Sequence, residues 1–207
     1  MSRVGIITVG LSNVSSLTGA LSRAGASGVV VDSPIMLGEV DRLIIPGVGN
    51  FSRAMTLLKR AGLVSAIKDF ASSGRPVMGI CLGMQLLASK GQEGDGSDGL
   101  GLVSGNAALL PSSQRYRVPH MGWNSIDILR PHPVLESIAS GTDFYFVHSY
   151  AVSEFKPCEE LARTNHGNSF MSATSRENVV GFQFHPEKSQ KQGSRIINNF
   201  LNWDGKC

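Results

Sequence analysis

The sequence predicts an α/β fold: a mainly parallel central sheet with helices on both faces, plus a smaller antiparallel β section. Three observations carry this expectation. Short apolar, β-branched runs alternate with helical patterns up to about Gly91. Pro-Gly and single-Gly breaks separate them. Beyond that point the pattern changes to closely spaced short strands, until one last helical stretch.

Arg3–Val9 (RVGIITV) reads as a buried strand. Asn13–Arg23 follows, with Val14, Leu17, Thr18 and Leu21 at helical spacing. Val29–Asp32 is a second strand and Arg42–Ile45 a third, stopped by Pro46-Gly47. Phe51–Ala61 and Leu63–Ser73 form a helix pair about Gly62. Pro76–Ile80 is a fourth strand, and Leu82–Ser89 a helix that starts directly after it. Gln92–Gly101, rich in Gly and Asp, reads as a loop. Short strands are then expected at Asn106–Leu110, Ser125–Leu129, Asp143–Val147, Glu160–Thr164, Ser169–Thr174 and Val179–Phe184, and a helix at Ser194–Leu201. No repeat, low-complexity tract or linker interrupts the 207 residues, so one domain, 1–207, is expected.

Composition excludes several classes. The hydrophobic fraction of 42% and charged fraction of 17% are those of a globular protein rather than a disordered one. The net charge of +3 is small, and Lys and Arg are scattered without a basic run, which argues against nucleic acid as a partner. No apolar stretch approaches the ~20 residues of a membrane helix, and Val4–Val9 is too short for a signal-peptide core. A cytoplasmic location is expected. The cysteines, Cys81, Cys158 and Cys207, are odd in number and lack metal-ligand spacing. No metal or cofactor is expected.

Gly79-Ile80-Cys81-Leu82-Gly83 has the form G-x-C-x-G between a strand and a helix. With serine, that arrangement is the nucleophile elbow, where flanking glycines permit a sharp turn. It also sets the thiol at a helix N-terminus, whose partial positive charge favours the thiolate. A lone cysteine is more often a buried structural residue; the two glycines favour the nucleophile. Such a nucleophile needs an acid–base partner. His132 sits between prolines, His166 in a polar turn, and His148 at the end of an apolar strand. The fourth, His120, lies in the Val118–Asn124 stretch. His185 ends the strand Val179–Phe184, where active sites of parallel sheets collect. Glu187, two residues on, points the same way in extended backbone and can orient the imidazole. On His-Pro-Glu alone, a plain turn with a solvated glutamate remains equally open.

Taken together, GICLGMQ (Gly79–Gln85) and QFHPEKS (Gln183–Ser189) resemble the class I glutamine amidotransferases, whose triad runs Cys, His, Glu along the chain. Pro46–Phe51 (PGVGNF), Val118–Asn124 (VPHMGWN) and Phe146–Tyr150 (FVHSY) are similar to one branch, the glutaminase subunits of imidazole glycerol phosphate synthase. The resemblance spans Gly5 to Leu201. It departs from the common pattern at Thr8, where many members carry Asp, at Ser12, and across Gly91–Gly99.

The resemblance implies a three-layer, flavodoxin-like fold and a glutaminase that forms a Cys thioester. Cys81 would be the nucleophile, His185 the acid and base, and Glu187 its orienter. The amides of Val48 and Leu82 would form the oxyanion hole. Gly49, Gln85, Glu93, Ser149 and Tyr150 would surround L-glutamine. Asn13, Pro119, Met121, Gly122, Trp123 and Lys188 would face a cyclase subunit, a (β/α)₈ barrel, in a heterodimer. The chemistry asks for such a partner: ammonia released into water near neutrality becomes ammonium, which is no nucleophile, so the acceptor must be close. Three other readings stay open from sequence: another ammonia acceptor, a stand-alone γ-glutamyl hydrolase, or an inactive binding subunit.

Overall fold

The computed structural model describes residues 2–8 and 14–206. Strand β1 (Arg3–Ile7) leads to helix α1 (Ser15–Arg23) and strand β2 (Ser27–Val31). Strand β3 (Arg42–Ile45) is followed by helices α2 (Phe51–Arg60) and α3 (Leu63–Ser72). Strand β4 (Val77–Ile80) runs into the short helix α4 (Leu82–Leu87). Next come β5 (Lys90–Gly91), β6 (Ser97–Asp98), β7 (Asn106–Leu109), β8 (His120–Ile128) and β9 (Thr142–His148). The chain ends with β10 (Tyr150–Ser153), β11 (Glu160–His166), β12 (Asn168–Arg176), β13 (Val179–Phe182) and α5 (Gln190–Asn202).

Strands β2, β1, β3, β4 and β13 lie side by side and parallel. Strands β12, β11, β8 and β9 extend the same nine-stranded sheet antiparallel. A separate four-stranded sheet has the order β10-β7-β5-β6. Period-2 alternation divides the core. Val4, Ile6, Ile44, Met78 and Ile80 face α1 and α5, meeting Leu17, Leu21, Ile196, Ile197 and Phe200. Their neighbours Ile7, Leu43, Ile45 and Val77 face α2 and α3, meeting Phe51, Leu58, Ile67 and Phe70. Full burial of each such side chain contributes roughly 1.5–3 kcal/mol, which is why both helical layers adhere to the sheet.

The structure revises several expected boundaries. β1 stops at Ile7, and the expected strand end at Val9 and the residue Asn13 lie outside the described residues. The loop expected at Gln92–Gly101 contains β6, and Tyr150–Ser153 is a strand that sequence reading passed over. The strand expected at Ser125–Leu129 begins earlier, at His120, so Met121–Trp123 lie within it. The last helix starts at Gln190 rather than Ser194. Among the described residues, no helix is long and apolar enough to cross a membrane.

Candidate active site

Strands β3, β4 and β13 are parallel neighbours, so the loops at their carboxyl ends converge. Those loops carry Pro46–Gly49, Cys81 and His185–Glu187. Cys81 takes φ +53° and ψ −111°, a conformation that costs a non-glycine residue on the order of 1–3 kcal/mol. It is held there by its own N–H donating to the Phe182 carbonyl at 2.7 Å, and by its carbonyl accepting from the Gln85 amide at 3.2 Å. The flanking glycines serve clearance rather than torsional freedom. A Cβ on Gly83 would land on the Ile45 carbonyl oxygen, and one on Gly79 would come within 2.7 Å of the Gly83 oxygen. The strain sits on Cys81 itself, which corrects the reason expected for the elbow.

His185 lies beyond β13 and opens a 3-10 turn, Pro186–Lys188. Its Nδ1 meets Glu187 Oε1 at 2.7 Å. The expected pairing is present, but the turn, not extended backbone, makes it. A carboxylate only accepts, so the Nδ1 proton is fixed. Ser189, which sequence reasoning missed, clamps the turn: its hydroxyl donates to the His185 carbonyl at 2.7 Å and accepts from the Tyr145 amide at 3.0 Å. The His185 amide donates to the Tyr145 carbonyl at 2.9 Å.

The remaining ring nitrogen, Nε2, is buried without a hydrogen-bond partner. It lies near enough to Cys81 to be influenced by it. Burial pulls the imidazole down, but its interactions with Cys81 and then Glu187 outweigh that and push His185 up to about 9. At neutral pH the ring therefore holds a proton it can deliver to a leaving amine. Sγ also lies 3.7 Å from the Val147 carbonyl and 3.7 Å from Gln183 Nε2.

The other buried histidines are poor acid–base candidates. Burial pushes His148 down to about 3 despite its backbone hydrogen bond, and His120 down to about 4, with His166 adding to the effect. His132 is lowered to about 4 by burial and then by Arg130, and its Nδ1 accepts from the Val134 amide at 3.2 Å. The expected result of His185→Ala is a loss of ~10²–10⁴-fold in glutamine hydrolysis, with Glu187→Gln milder because only orientation and charge are disturbed. Steady-state rates of these variants beside His132→Ala check this. A severe His132→Ala with a mild His185→Ala would reject His185 as the acid–base residue.

The other expected residues distribute as follows. Val48 and Gly47 border the same narrow cleft as His185, Glu187 and Lys188, a space of about 80 Å³. Gly49 takes φ +112°. Leu82 is the first residue of α4, directly after Cys81. The Gln85 amide is buried and donates to the Tyr150 carbonyl at 2.8 Å. The Ser149 carbonyl accepts from the Leu110 amide at 2.8 Å, fastening β10 beside β7. One oxygen of the Glu93 carboxylate accepts from the Phe51 amide at 2.7 Å and caps α2, just after the Val48 loop. Met121 and Trp123 are 64% and 49% exposed, so this segment is surface and not core. Pro119 directly precedes their strand, and Gly122 within it takes φ +127°. A cleft of about 740 Å³, lined by residues such as Leu129, Arg130 and Glu136, includes no member of the triad. Cys158 is a free, exposed thiol.

Residues 6–203 match the family described as Glutamine amidotransferase class-I. The chain belongs to this family. Among relatives, it is 41% identical to the imidazole glycerol phosphate synthase subunit HisH of Symbiobacterium thermophilum, with 97% of this chain and 93% of that protein covered. It is 42% identical to the same subunit of Moorella thermoacetica, with 97% and 94% covered. A Pseudomonas aeruginosa relative, subunit HisH 2, is 39% identical, with 95% and 97% covered. Among solved structures, one described as glutamine amidotransferase has a TM-score of 0.77 at 20% identity over 98% of both chains. PurLQS from Thermotoga maritima has 0.76 at 20% identity over 98% of this chain and 99% of that one. At such identity these two structures speak for the amidotransferase fold alone.

Proposed function

We propose that this chain is the glutaminase subunit of an imidazole glycerol phosphate synthase. It hydrolyses L-glutamine and passes the ammonia to a cyclase subunit for histidine biosynthesis. The observation that carries the glutaminase reading is the pairing of a strained Cys81 with a His185 that Glu187 orients at 2.7 Å. The Cys81 sulfur attacks the side-chain carbonyl carbon of glutamine, and the oxygen takes up negative charge. The amides of Leu82 and Val48 stabilise that charge. His185 protonates the departing nitrogen, ammonia leaves, and a γ-glutamyl thioester remains on Cys81. Water, deprotonated by His185, then adds to the thioester and releases glutamate, returning the sulfur to its starting state. Gly49, Gln85, Glu93, Ser149 and Tyr150 form the surroundings of the bound glutamine in this reading.

Relatives named as HisH subunits, about 40% identical over nearly the whole chain, support this acceptor. A barrel-shaped cyclase subunit would dock on Pro119–Trp123 and Lys188; the resemblance adds Asn13, which lies outside the described residues. The outward Met121 and Trp123 suit such a surface, since exposed aromatic and Met side chains are typical interface anchors. A second reading keeps the glutaminase and changes the acceptor; one relative carries the name subunit HisH 2. Mixing the purified chain with a cyclase subunit and its nucleotide substrate separates the two. Glutamine-dependent formation of imidazole glycerol phosphate is the expected outcome. Glutamate release without product would leave the glutaminase and reject this acceptor.

A further inference from the structure

A buried polar chain leads from the exposed strand β8 to the Cys81 sulfur, and its direction is fixed. Tyr150 contributes a backbone carbonyl, which only accepts. His148 Nδ1, at 2.9 Å from it, must therefore carry the proton. Burial keeps His148 neutral, so its Nε2 is an acceptor and receives His120 Nδ1–H at 2.9 Å. His120 Nε2 is left to accept from Asn124 Nδ2 at 3.1 Å, and that same amide donates to the Asn165 carbonyl at 3.0 Å. From the other side, Gln85 Nε2 donates to the Tyr150 carbonyl at 2.8 Å and to Gln183 Oε1 at 3.2 Å. With its oxygen engaged, Gln183 has only its amide N–H to present to Cys81 Sγ, 3.7 Å away. Gln183 is fully buried, as the amide of a glutamine is only when its donors and acceptors are used.

We infer that Gln183 is a further residue of the nucleophile's site, its N–H held toward the Cys81 sulfur by Gln85 and by the His120–His148 pair behind Tyr150. A donor directed at sulfur favours the anionic form that attacks. The alternative orientation of the Gln183 amide would face its oxygen to the sulfur and leave the Gln85 N–H against an N–H. The chain forbids that orientation, because each link is already committed as donor or acceptor. His148 acts as a positioning residue: it touches neither sulfur nor glutamine, and works by fixing the carbonyl on which Gln85 rests. The starting point of the chain is also informative. His120 sits beside Met121 on the strand proposed to meet the cyclase subunit, and it pairs with His148 across the sheet. The titratable groups around this part of the site are His185 and Glu187 on the turn after β13, His148 on β9, His120 on β8 and His166 on β11.

This inference rests on Cys81 being the reactive thiol, so its test reads that thiol directly. Full-length chains bearing Gln183→Met, Gln183→Glu or His148→Leu are treated with iodoacetamide across a pH series. Carboxamidomethylation of the Cys81 peptide is followed by mass spectrometry, and melting is recorded for each chain. Near neutrality Gln183→Met is expected to slow the modification about tenfold, Gln183→Glu more, and His148→Leu less. All rates should converge with the parent at high pH, where every thiol is ionised. Superimposable profiles for Gln183→Met and His148→Leu would overturn the inference. So would rates lowered by one constant factor at every pH, since that reports access rather than ionisation. If Gln183→Met melts below the working temperature, His148→Leu decides alone. Glutaminase assay of Cys81→Ser is independent of these profiles: retained activity there would reject the nucleophile, whatever the alkylation shows.

Discussion

Replacing Cys81 with serine is expected to lower glutamine-dependent synthesis by on the order of 10⁴-fold or more, because an alcohol lacks the thiolate's nucleophilicity and the triad acts as a unit. Synthesis from added ammonium salt by the same complex should be unchanged. The two halves of this result separate the chemistry from the scaffold. A hydroxyl is smaller than a thiol and fits at φ +53° as well as the cysteine does, held by the same bonds to Phe182 and Gln85. The loops bearing Val48 and His185 then keep their places, and so does the surface offered to the partner. Assaying both nitrogen sources with the parent and Cys81→Ser chains checks this. Full glutamine turnover by the serine chain would reject the nucleophile. Parallel loss of both activities would mean that Cys81 matters for assembly instead.

The half of the fold that builds this site was legible because its strands are buried on both faces. Such strands read as continuous apolar runs, like Arg42–Ile45 and Val77–Ile80, and the turns between them are marked by Pro and Gly. The elbow and the His-Pro-Glu turn fall at the ends of these runs, so Cys81 and His185 could be placed from sequence. Much of the rest depends on tertiary pairing. β5 and β6 have two residues each, too few for any periodicity to register. The start of β8 was hidden for a different reason: its exposed Met121 and Trp123 are apolar, so alternation between polar and apolar residues fails there. Ser189 and Gln183 were invisible as site residues. The Ser189 hydroxyl matters only because β9 brings the Tyr145 amide to it, and the Gln183 amide only because α4 presents Gln85. Glu93, which the resemblance sets beside glutamine, also caps α2, a contact that no sequence pattern announces.

The purified chain alone is expected to hydrolyse glutamine slowly, and binding of the cyclase subunit with its nucleotide ligand to raise the rate by about 10²–10³-fold, the worth of one oxyanion donor. The cleft between Val48 and His185 measures about 80 Å³. The peptide joining Gly47 to Val48 is placed to be the moving part. Gly47 packs against Leu82 with no room for a Cβ, and Gly49 at φ +112° absorbs torsion that other residues resist. In the proposed mechanism one orientation of that peptide would direct the Val48 N–H at the developing oxyanion, and the opposite one would direct a carbonyl there and repel it. A partner favours one orientation only through a difference in free energy between the two. The route for that difference is short. Trp123 lies edge-on to Tyr145 at 6.1 Å, and Lys188 sits over the same ring at 5.9 Å. The Tyr145 backbone in turn holds the His185 amide and the Ser189 hydroxyl. Tyr145 thus links the β8 surface to the turn that carries His185 and Glu187. Glutamine hydrolysis measured for the chain alone, with the partner, and with partner plus nucleotide decides the matter. A Tyr145→Leu chain should keep the low basal rate and lose most of the stimulation. Equal rates in all three conditions would sink the switch, and full stimulation of Tyr145→Leu would move the route elsewhere.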